Sequence, residues 1–484
     1  MTYSTILHAL GWLLLLLAGA MLLPWTVALY ADEPDAFSAF SLAVLLTGFG
    51  GGALIMAFRD VVRRTSKIDL FLLVVGAWVL VPLFAALPLY VSGALPTLTD
   101  AYFEALSGFT TTGASVIPSL DETDRAVLIW RAVLQWLGGW ASIVMGAAVL
   151  APLGVGGMEL RLSPLTRADK SQTLDRFRGT AKAVGSLYAS FTAACFLLTW
   201  AGGVPAFDAF CLSLSAISTG GFTPTDAGLS GYDAPWSMLF LALFMLIGAM
   251  NFATHRAASR GHWQEYEDDP ENGYLAIMVL GGGALLTIAA LQDTGDIVSA
   301  TMAGLFTAIS LVTGAGFVAP NESVLHSISP IFVIGLVLIG GATLSTTGGI
   351  KLMRVALLMK QGGRELKRLI HPHGIIATQF AGRSLAIPIM KSVWTFFILF
   401  LFAHALLAIL LSATGLSLEA ALLASASAIA NVGPAYDLVH MGEETLNPTY
   451  AAMTDSAKWL LMVGMVVGRV ELLAFVALFS REHW

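Results

Sequence analysis

Along this chain, apolar runs of membrane-spanning length alternate with polar breaks, and shorter apolar runs ending on glycine lie between some of them. The long runs are 6–29, 39–58, 69–91, 127–152, 181–203, 236–257, 273–292, 328–359, 388–412 and 453–480. Each suits a helix crossing a hydrocarbon core of roughly 30 Å, which takes about 20 residues. The four shorter runs, 100–110, 207–218, 299–312 and 418–430, are too short to span. They predict re-entrant helices that enter and leave by the same side.

Each short run leads into a glycine-bearing stretch: Ser107-Gly108-Phe109-Thr110-Thr111-Thr112-Gly113, Ser218-Thr219-Gly220-Gly221-Phe222, Thr313-Gly314-Ala315-Gly316-Phe317 and Ala430-Asn431-Val432-Gly433-Pro434. Thirteen positions before Gly113 and Gly221 stand Asp100 and Asp208. The same count from Gly316 and Gly433 reaches Ala303 and Ala420, with Glu419 beside the latter. From residue 69 onward the order span, short helix, glycine strand, span occurs four times. The reference glycines lie 108, 95 and 117 residues apart, longer than the periods of helix-pair solenoids. The pattern predicts an all-α polytopic membrane protein in which four membrane–pore–membrane repeats surround one pseudo-four-fold pore. Residues 1–68 form two extra N-terminal helices. The repeats fall at 69–160, 161–260, 261–370 and 371–484.

Composition supports this class. The chain of 484 residues is 57% hydrophobic and 12% charged, against about 25% charged in soluble domains. The first run lacks a basic leader and is followed by another span, so it is expected to be retained as a helix. Cys195 and Cys211 lie within apolar runs and read as small buried hydrophobes. The formal charge of −7 speaks against nucleic acid, and the charges are sorted by side. Nineteen of the 25 Lys and Arg residues fall at 59–67, 161–182, 256–260 and 351–383. The alternate segments carry acids, among them Asp121, Asp226, Glu322, Asp437 and Glu443. By the positive-inside rule the basic side is cytoplasmic, so both termini lie inside and the glycine strands face outside.

A dehydrated cation needs oxygens around it. Backbone carbonyls supply them where the strand is extended and close to the axis, and glycine permits that approach. Thr110, Thr111 and Thr112 add hydroxyls. The short helices are expected to aim their C-terminal, partially negative ends at the centre. The strands contain no carboxylate, which fits a carbonyl site for a monovalent ion.

With Ser107-Gly108-Phe109-Thr110-Thr111-Thr112-Gly113, Ala216-Ile217-Ser218-Thr219-Gly220-Gly221-Phe222, Asn431-Val432-Gly433-Pro434 and Gly340-Gly341-Ala342-Thr343-Leu344-Ser345-Thr346-Thr347-Gly348-Gly349-Ile350-Lys351, the chain resembles the TrkH/KtrB/HKT superfamily of potassium transport proteins. The likeness is greatest to its TrkH branch and covers essentially the whole length. It implies potassium uptake across a bacterial cytoplasmic membrane through a gated, potassium-selective pore. The ion would be held by Thr111, Thr112, Gly113, Gly220, Gly221, Ala315, Gly316, Val432 and Gly433. It also implies a homodimer and a cytosolic TrkA-like regulator, a ring with nucleotide-binding RCK domains. The ligand in this chain would be potassium, with no organic cofactor; Gly281-Gly282-Gly283 lies in an apolar span without a nucleotide fingerprint's context. All four reference positions are glycine here, whereas sodium-favouring plant relatives have serine first. The departures are Thr-Gly-Gly-Phe, Thr-Gly-Ala-Gly-Phe and a fourth strand without threonine. They predict a less uniform filter than a tetrameric channel's.

Gly340 to Gly349 interrupts the eighth run. On residues alone this is either a kink with hydroxyls bonded back to carbonyls or a loop obstructing the pore. The resemblance favours a gating loop of Gly340, Gly341, Ser345, Thr346, Thr347, Gly348 and Gly349. Arg469 lies well inside the tenth run, where a charge is costly. On residues alone it either snorkels outward as an interfacial arginine or faces water or a partner, and Glu471, two residues on, points elsewhere on the helix. The resemblance puts Arg469 below the filter, metering cations. Arg131 and Lys458 read as interfacial anchors, and His404 as a packed interhelical group. The acidic run Glu265-Tyr266-Glu267-Asp268-Asp269 reads as a solvated loop or, with 351–368, a contact for the regulator. The alternative function is a secondary transporter coupling potassium to sodium or protons. It would show ionisable residues buried in pairs, and few stand out. An enzyme is the weakest reading: the histidines, His371 and His373 included, are scattered without ligand spacing.

Overall fold

Two helices, Tyr3–Tyr30 and Pro34–Ala57, pair as a hairpin ahead of the repeats. Gly11 and Gly51 set their crossing: a Cβ on either would stand 2.9 or 2.8 Å from the other's carbonyl oxygen, so only small residues allow the approach. The hairpin is pinned to the first repeat by Glu33. Its carboxylate accepts from Arg125 N at 2.8 Å and Ala126 N at 3.1 Å, an anionic cap on the helix Arg125–Met145 supplied from outside it. These features come from a computed structural model that describes residues 3–59, 67–150, 173–318, 329–371, 379–380, 383–384, 387–440 and 448–472.

The first repeat comprises Lys67–Ala85, continued by Leu87–Val91, then the short helix Leu98–Phe109, then Arg125–Met145. The second comprises Thr173–Ala201, Ala206–Ser218 and Pro235–Ala249; the third Pro270–Thr294, Ile297–Thr313 and Pro330–Ile339; the fourth Ile387–Ala413, Leu418–Ala430 and Asp455–Val470. The closing helix of each repeat packs on the short helix of the next: Arg125–Met145 on Ala206–Ser218, Pro235–Ala249 on Ile297–Thr313, and Pro330–Ile339 on Leu418–Ala430. Asp455–Val470 packs back on Leu98–Phe109, and this last contact closes the four into a ring.

The short helices have 12, 13, 17 and 13 residues. At 1.5 Å per residue they reach about 18–26 Å, less than a bilayer core. Three start on side-chain caps, from Thr97, Asp296 and Ser417, and the second starts at Pro205. Asp100, Asp208 and Glu419 lie in first turns, where a negative charge meets the positive end of the helix dipole. The C-terminal halves of the first, second and fourth are buried all round, and in the third Leu305 and Ile309 are half-buried.

Among the described residues, seven helices are long and apolar enough to cross a membrane, or eight if one bent pair counts as a span. The eighth run is split as expected, ending at Ile339 and resuming at Leu352. The tenth is described only to Leu472. The basic loops 60–66 and 151–172, the acids Glu322 and Glu443, and His373 lie outside the described residues.

The sixth run differs from its reading as one span over 236–257. Pro235–Ala249 stops, and Phe252–Ala258 leaves at 101°. Asn251 makes the corner by accepting from Ala253 N at 2.9 Å. The apolar run continues through Met250 and Phe252, so hydropathy does not register the corner.

Candidate functional site

The four glycine strands meet one another in cyclic order. A Cβ on Gly113 would overlap the carbonyl of Gly220, and one on Gly221 would overlap that of Ala315. A Cβ on Gly316 would sit 3.0 Å from the Pro434 ring, and one on Gly433 would overlap the backbone of Ala114. Strands one to two, two to three and four to one are thus in backbone contact, and strand three meets strand four through the Pro434 ring. Gly433 N also donates to Thr112 O at 2.6 Å. The reference positions are glycine because the next strand occupies the space of a side chain.

The short helices also end alike. The residue two before each reference glycine is left-handed: Thr111 (φ 52°), Thr219 (51°), Gly314 (80°) and Asn431 (56°). Gly113, Gly221 and Gly316 are left-handed as well, at 80°, 83° and 73°. A β-branched residue there is a genuine outlier, costing on the order of 1–3 kcal/mol. Two threonines held this way mark a backbone shaped for something other than stability. Thr112 N donates to Ser107 O at 2.8 Å, Gly220 N to Ser215 O at 2.9 Å and Val432 N to Ser427 O at 2.8 Å, a six-to-one helix termination. In the third repeat Gly316 N reaches Ser310 O at 3.1 Å. A serine stands six positions before every reference glycine: Ser107, Ser215, Ser310 and Ser427. This serine register is a signal carried by the sequence alone.

Behind the ring, side chains of the first closing helix, of the fourth strand itself and of the turn before Asp455–Val470 hold the strands. Gln135 Nε2 donates to Gly220 O at 2.7 Å, and its Oε1 accepts from Phe222 N at 3.3 Å. Asn431 Nδ2 donates to Thr112 Oγ1 and to Met465 O, both at 3.0 Å. Tyr450 donates to Gly433 O at 2.9 Å. Of the nine residues expected to hold the ion, Thr112, Gly220, Val432 and Gly433 thus have carbonyls engaged in the wall.

Arg131 and Lys458 are not interfacial anchors. Arg131 is buried, its Nε 2.7 Å from Glu104 Oε1, with its guanidinium 4.0 Å from the Phe222 ring centroid. Glu104 also accepts from Ser115 Oγ at 3.0 Å and Val116 N at 2.8 Å, bracing the exit of strand one. Lys458 Nζ is 2.6 Å from Asp100 Oδ1, locking the fourth repeat to the first. Glu471 does turn away from Arg469, pairing with Arg354 at 2.8 Å. Buried ion pairs are therefore more numerous than expected, because each joins residues far apart in the chain. His404 is packed as expected, Nδ1 lying 3.0 Å from Ser425 Oγ. Cys195 and Cys211 are free and buried. Beyond the strands, Asp226 ties the first two repeats by accepting from Leu120 N at 2.7 Å and Ser119 Oγ at 2.8 Å. Burial pushes its pKa up, but these bonds, one from Asp121 N and the charge of Arg131 outweigh it and leave the carboxyl below its usual range.

The segment 340–349 is an excursion with a closed neck. Ile350 N donates to Leu338 O at 2.9 Å, Lys351 N to Ile339 O at 2.8 Å and Leu352 N to Gly341 O at 3.0 Å. Gly340 and Gly348 lie against each other at positions where a Cβ would overlap. The tip docks on the corner of the second repeat: Ala342 N on Ala249 O at 2.9 Å, Thr346 N on Gly248 O at 3.1 Å, and Phe252 N on Leu344 O at 3.2 Å. Thr346 Oγ1 reaches Ile217 O at 3.3 Å and Thr219 Oγ1 at 3.1 Å, at the end of the second short helix. Gly348 lies against Ala430 O, at the end of the fourth.

Arg469 joins the loop to the first strand. Its Nε donates to Thr110 O, and its Nη1 to Thr346 O at 2.7 Å and Thr347 O at 3.2 Å. Lys351 Nζ donates to Thr347 O at 2.5 Å and Thr347 Oγ1 at 3.2 Å. Two internal cations therefore occupy carbonyls of the loop. Next to them lies a cavity of about 40 Å³, lined in part by Ser142, Ser345, Lys351, Arg469 and Glu471. Contacts therefore link the sequence-assigned strands to one another, to the loop and to Arg469.

Comparison with known proteins places this arrangement. A family profile described as "TrkH: Cation transport protein" matches residues 40–260 and 292–483. A Trk system potassium uptake protein TrkH from Halomonas elongata is 35% identical over the whole of both chains. The protein of that name from Escherichia coli K12 is 33% identical, again over the whole of both. The crystal structure of the potassium transporter TrkH from Vibrio parahaemolyticus superposes with a TM-score of 0.89 at 32% identity, covering all of both chains.

Proposed function

The chain belongs to the TrkH family of cation transport proteins, and from that premise we propose that it takes up potassium through a gated pore along the axis of the four repeats. The cyclic contact of the four glycine strands carries this reading. Thr111, Thr112, Gly113, Gly220, Gly221, Ala315, Gly316, Val432 and Gly433 form the filter, and potassium is the transported ion. The loop 340–349 with Arg469 forms the gate. The repeats run 69–160, 161–260, 261–370 and 371–484, preceded by the hairpin in 1–68.

The chain is embedded in the membrane; the bacterial inner membrane, with both termini cytoplasmic, is the location that its basic loops support. Relatives named as parts of a Trk system support a multi-part assembly. The proposed form is a homodimer run from the cytosol by a TrkA-like RCK-domain ring that senses nucleotide. Those relatives are transport proteins, and transport is the activity assigned here.

Reconstituted in liposomes, the protein should admit potassium in preference to sodium. Equal permeability would remove the potassium assignment, and potassium movement against a reversed gradient driven by sodium or protons would favour coupled transport.

Arg469 gives a second expectation. Two unit charges ~7 Å apart at an effective dielectric near 20 repel by roughly 2 kcal/mol. Full relief of such a barrier is roughly thirtyfold in rate. Arg469→Ala should therefore raise potassium flux by up to that factor, while Arg469→Lys, which keeps the charge, should raise it less. Unchanged flux in the alanine variant would take Arg469 out of the conduction path.

A further inference from the structure

Glu271, in the first turn of Pro270–Thr294, is fully buried beside the loop rather than exposed on the basic side. Its Oε1 accepts from Thr343 N at 2.9 Å, Thr343 Oγ1 at 2.9 Å and Met353 N at 3.1 Å. Thr343 lies in the docked tip, between Ala342 and Leu344, and Met353 lies just past the loop's closed neck. One carboxylate oxygen therefore ties the tip of the loop to the helix that follows it. Asp269, two residues earlier, accepts from Glu271 N at 2.9 Å and from Thr254 Oγ1 at 3.1 Å. Thr254 belongs to Phe252–Ala258, whose first N–H bonds Leu344 of the same loop. Upstream, Trp263, Glu265, Glu267 and Asp268 are exposed, and Tyr266 OH lies 2.7 Å from His255 Nδ1. A continuous path of covalent and hydrogen bonds runs from this exposed turn to the loop tip and to the helix after the neck.

We propose that Glu271 is the positioning residue that clasps loop 340–349 in its obstructing position, and that the turn 263–268 reaches the loop through it. This rests on the loop being the gate. A buried carboxylate accepting three donors is a strong restraint, because removing it leaves those donors unmet. Its position at a helix N-terminus adds the favourable field of the dipole. Release of the clasp frees Thr343 and Met353 together, uncoupling the tip from the helix after the neck.

The test uses the full chain reconstituted in liposomes, without cytosolic regulator. Glu271→Ala should raise potassium flux roughly tenfold, the shift a lost charge-assisted hydrogen bond produces in a closed–open equilibrium. Hydrogen exchange across 340–353 should rise with it, and potassium preference over sodium should stay unchanged. Glu271→Gln keeps an acceptor oxygen for the same donors and should restore most of the closure. If Glu271→Ala fails to fold, Thr343→Val, which removes one of the three donors, should give a smaller rise in flux and exchange. Closed Glu271→Ala protein with unaltered exchange, alongside a loop deletion that conducts, would overturn the clasp and leave the gate standing. Unaltered flux and exchange in Thr343→Val would count the same way. A loop deletion that also stays closed would remove the gate reading, and the clasp with it.

Discussion

Deleting residues 343–347 should leave a protein that conducts potassium without its cytosolic regulator, at on the order of tenfold or more above the intact chain. The neck makes the deletion feasible. Bonds from Ile350 to Leu338 and from Lys351 to Ile339 lie outside the excised stretch, and Gly340 already abuts Gly348. Ala342 can therefore be joined to Gly348 through a tight glycine turn without moving the flanking helices. The excision removes the contacts of Thr346 with Gly248 and Ile217, the Leu344 carbonyl bound by Phe252, and the two carbonyls that hold Arg469 Nη1.

Arg469 complicates the size of this effect. Without Thr346 and Thr347 its guanidinium keeps its bond to Thr110 O and still repels passing cations. The deletion combined with Arg469→Ala should therefore conduct more than either change alone, since the two act on one path. Flux into liposomes, with folding checked by a cooperative melt, reads the result. A folded deletion protein that stays closed would show that the loop is not the gate.

Most of the architecture was legible because it is written locally. Run length separates the spans from the short helices, and the recurring glycines mark the strands. The ring was legible only as a count of repeats: Gly113 against Gly220 and Gly433 against Ala114 are contacts that no local pattern encodes. The same holds for Lys458 with Asp100, 358 residues apart. A basic residue near a helix end looks alike whether it snorkels to the interface or meets an acid from another repeat, which is why Arg131 and Lys458 were misplaced. The corner at Asn251 escaped because hydropathy continues across it, although an asparagine within an apolar run is a capping residue. Glu271 bears no local mark that separates it from the acidic run 265–269 just before it.

Gly221→Ala should abolish potassium flux, by roughly 100-fold or more, while leaving a folded membrane protein. Two costs act at once. Gly221 has φ 83°, which costs an L-residue roughly 1–2 kcal/mol. The added Cβ would also overlap the carbonyl of Ala315 in the next strand and stand 3.0 Å from the Pro434 ring, so the wall must open to admit it. An oxygen cage displaced by an ångström no longer replaces the hydration shell it strips. Gly314→Ala separates the two costs. Gly314 is also left-handed, at φ 80°, but its added Cβ would meet only Val432 Cγ2 at 3.4 Å and Thr347 Cβ at 4.0 Å. That variant bears the dihedral cost with little steric cost and should keep a substantial share of the flux. Equal loss in the two would assign the effect to backbone strain, and full flux in Gly221→Ala would mean that ions do not pass between these strands.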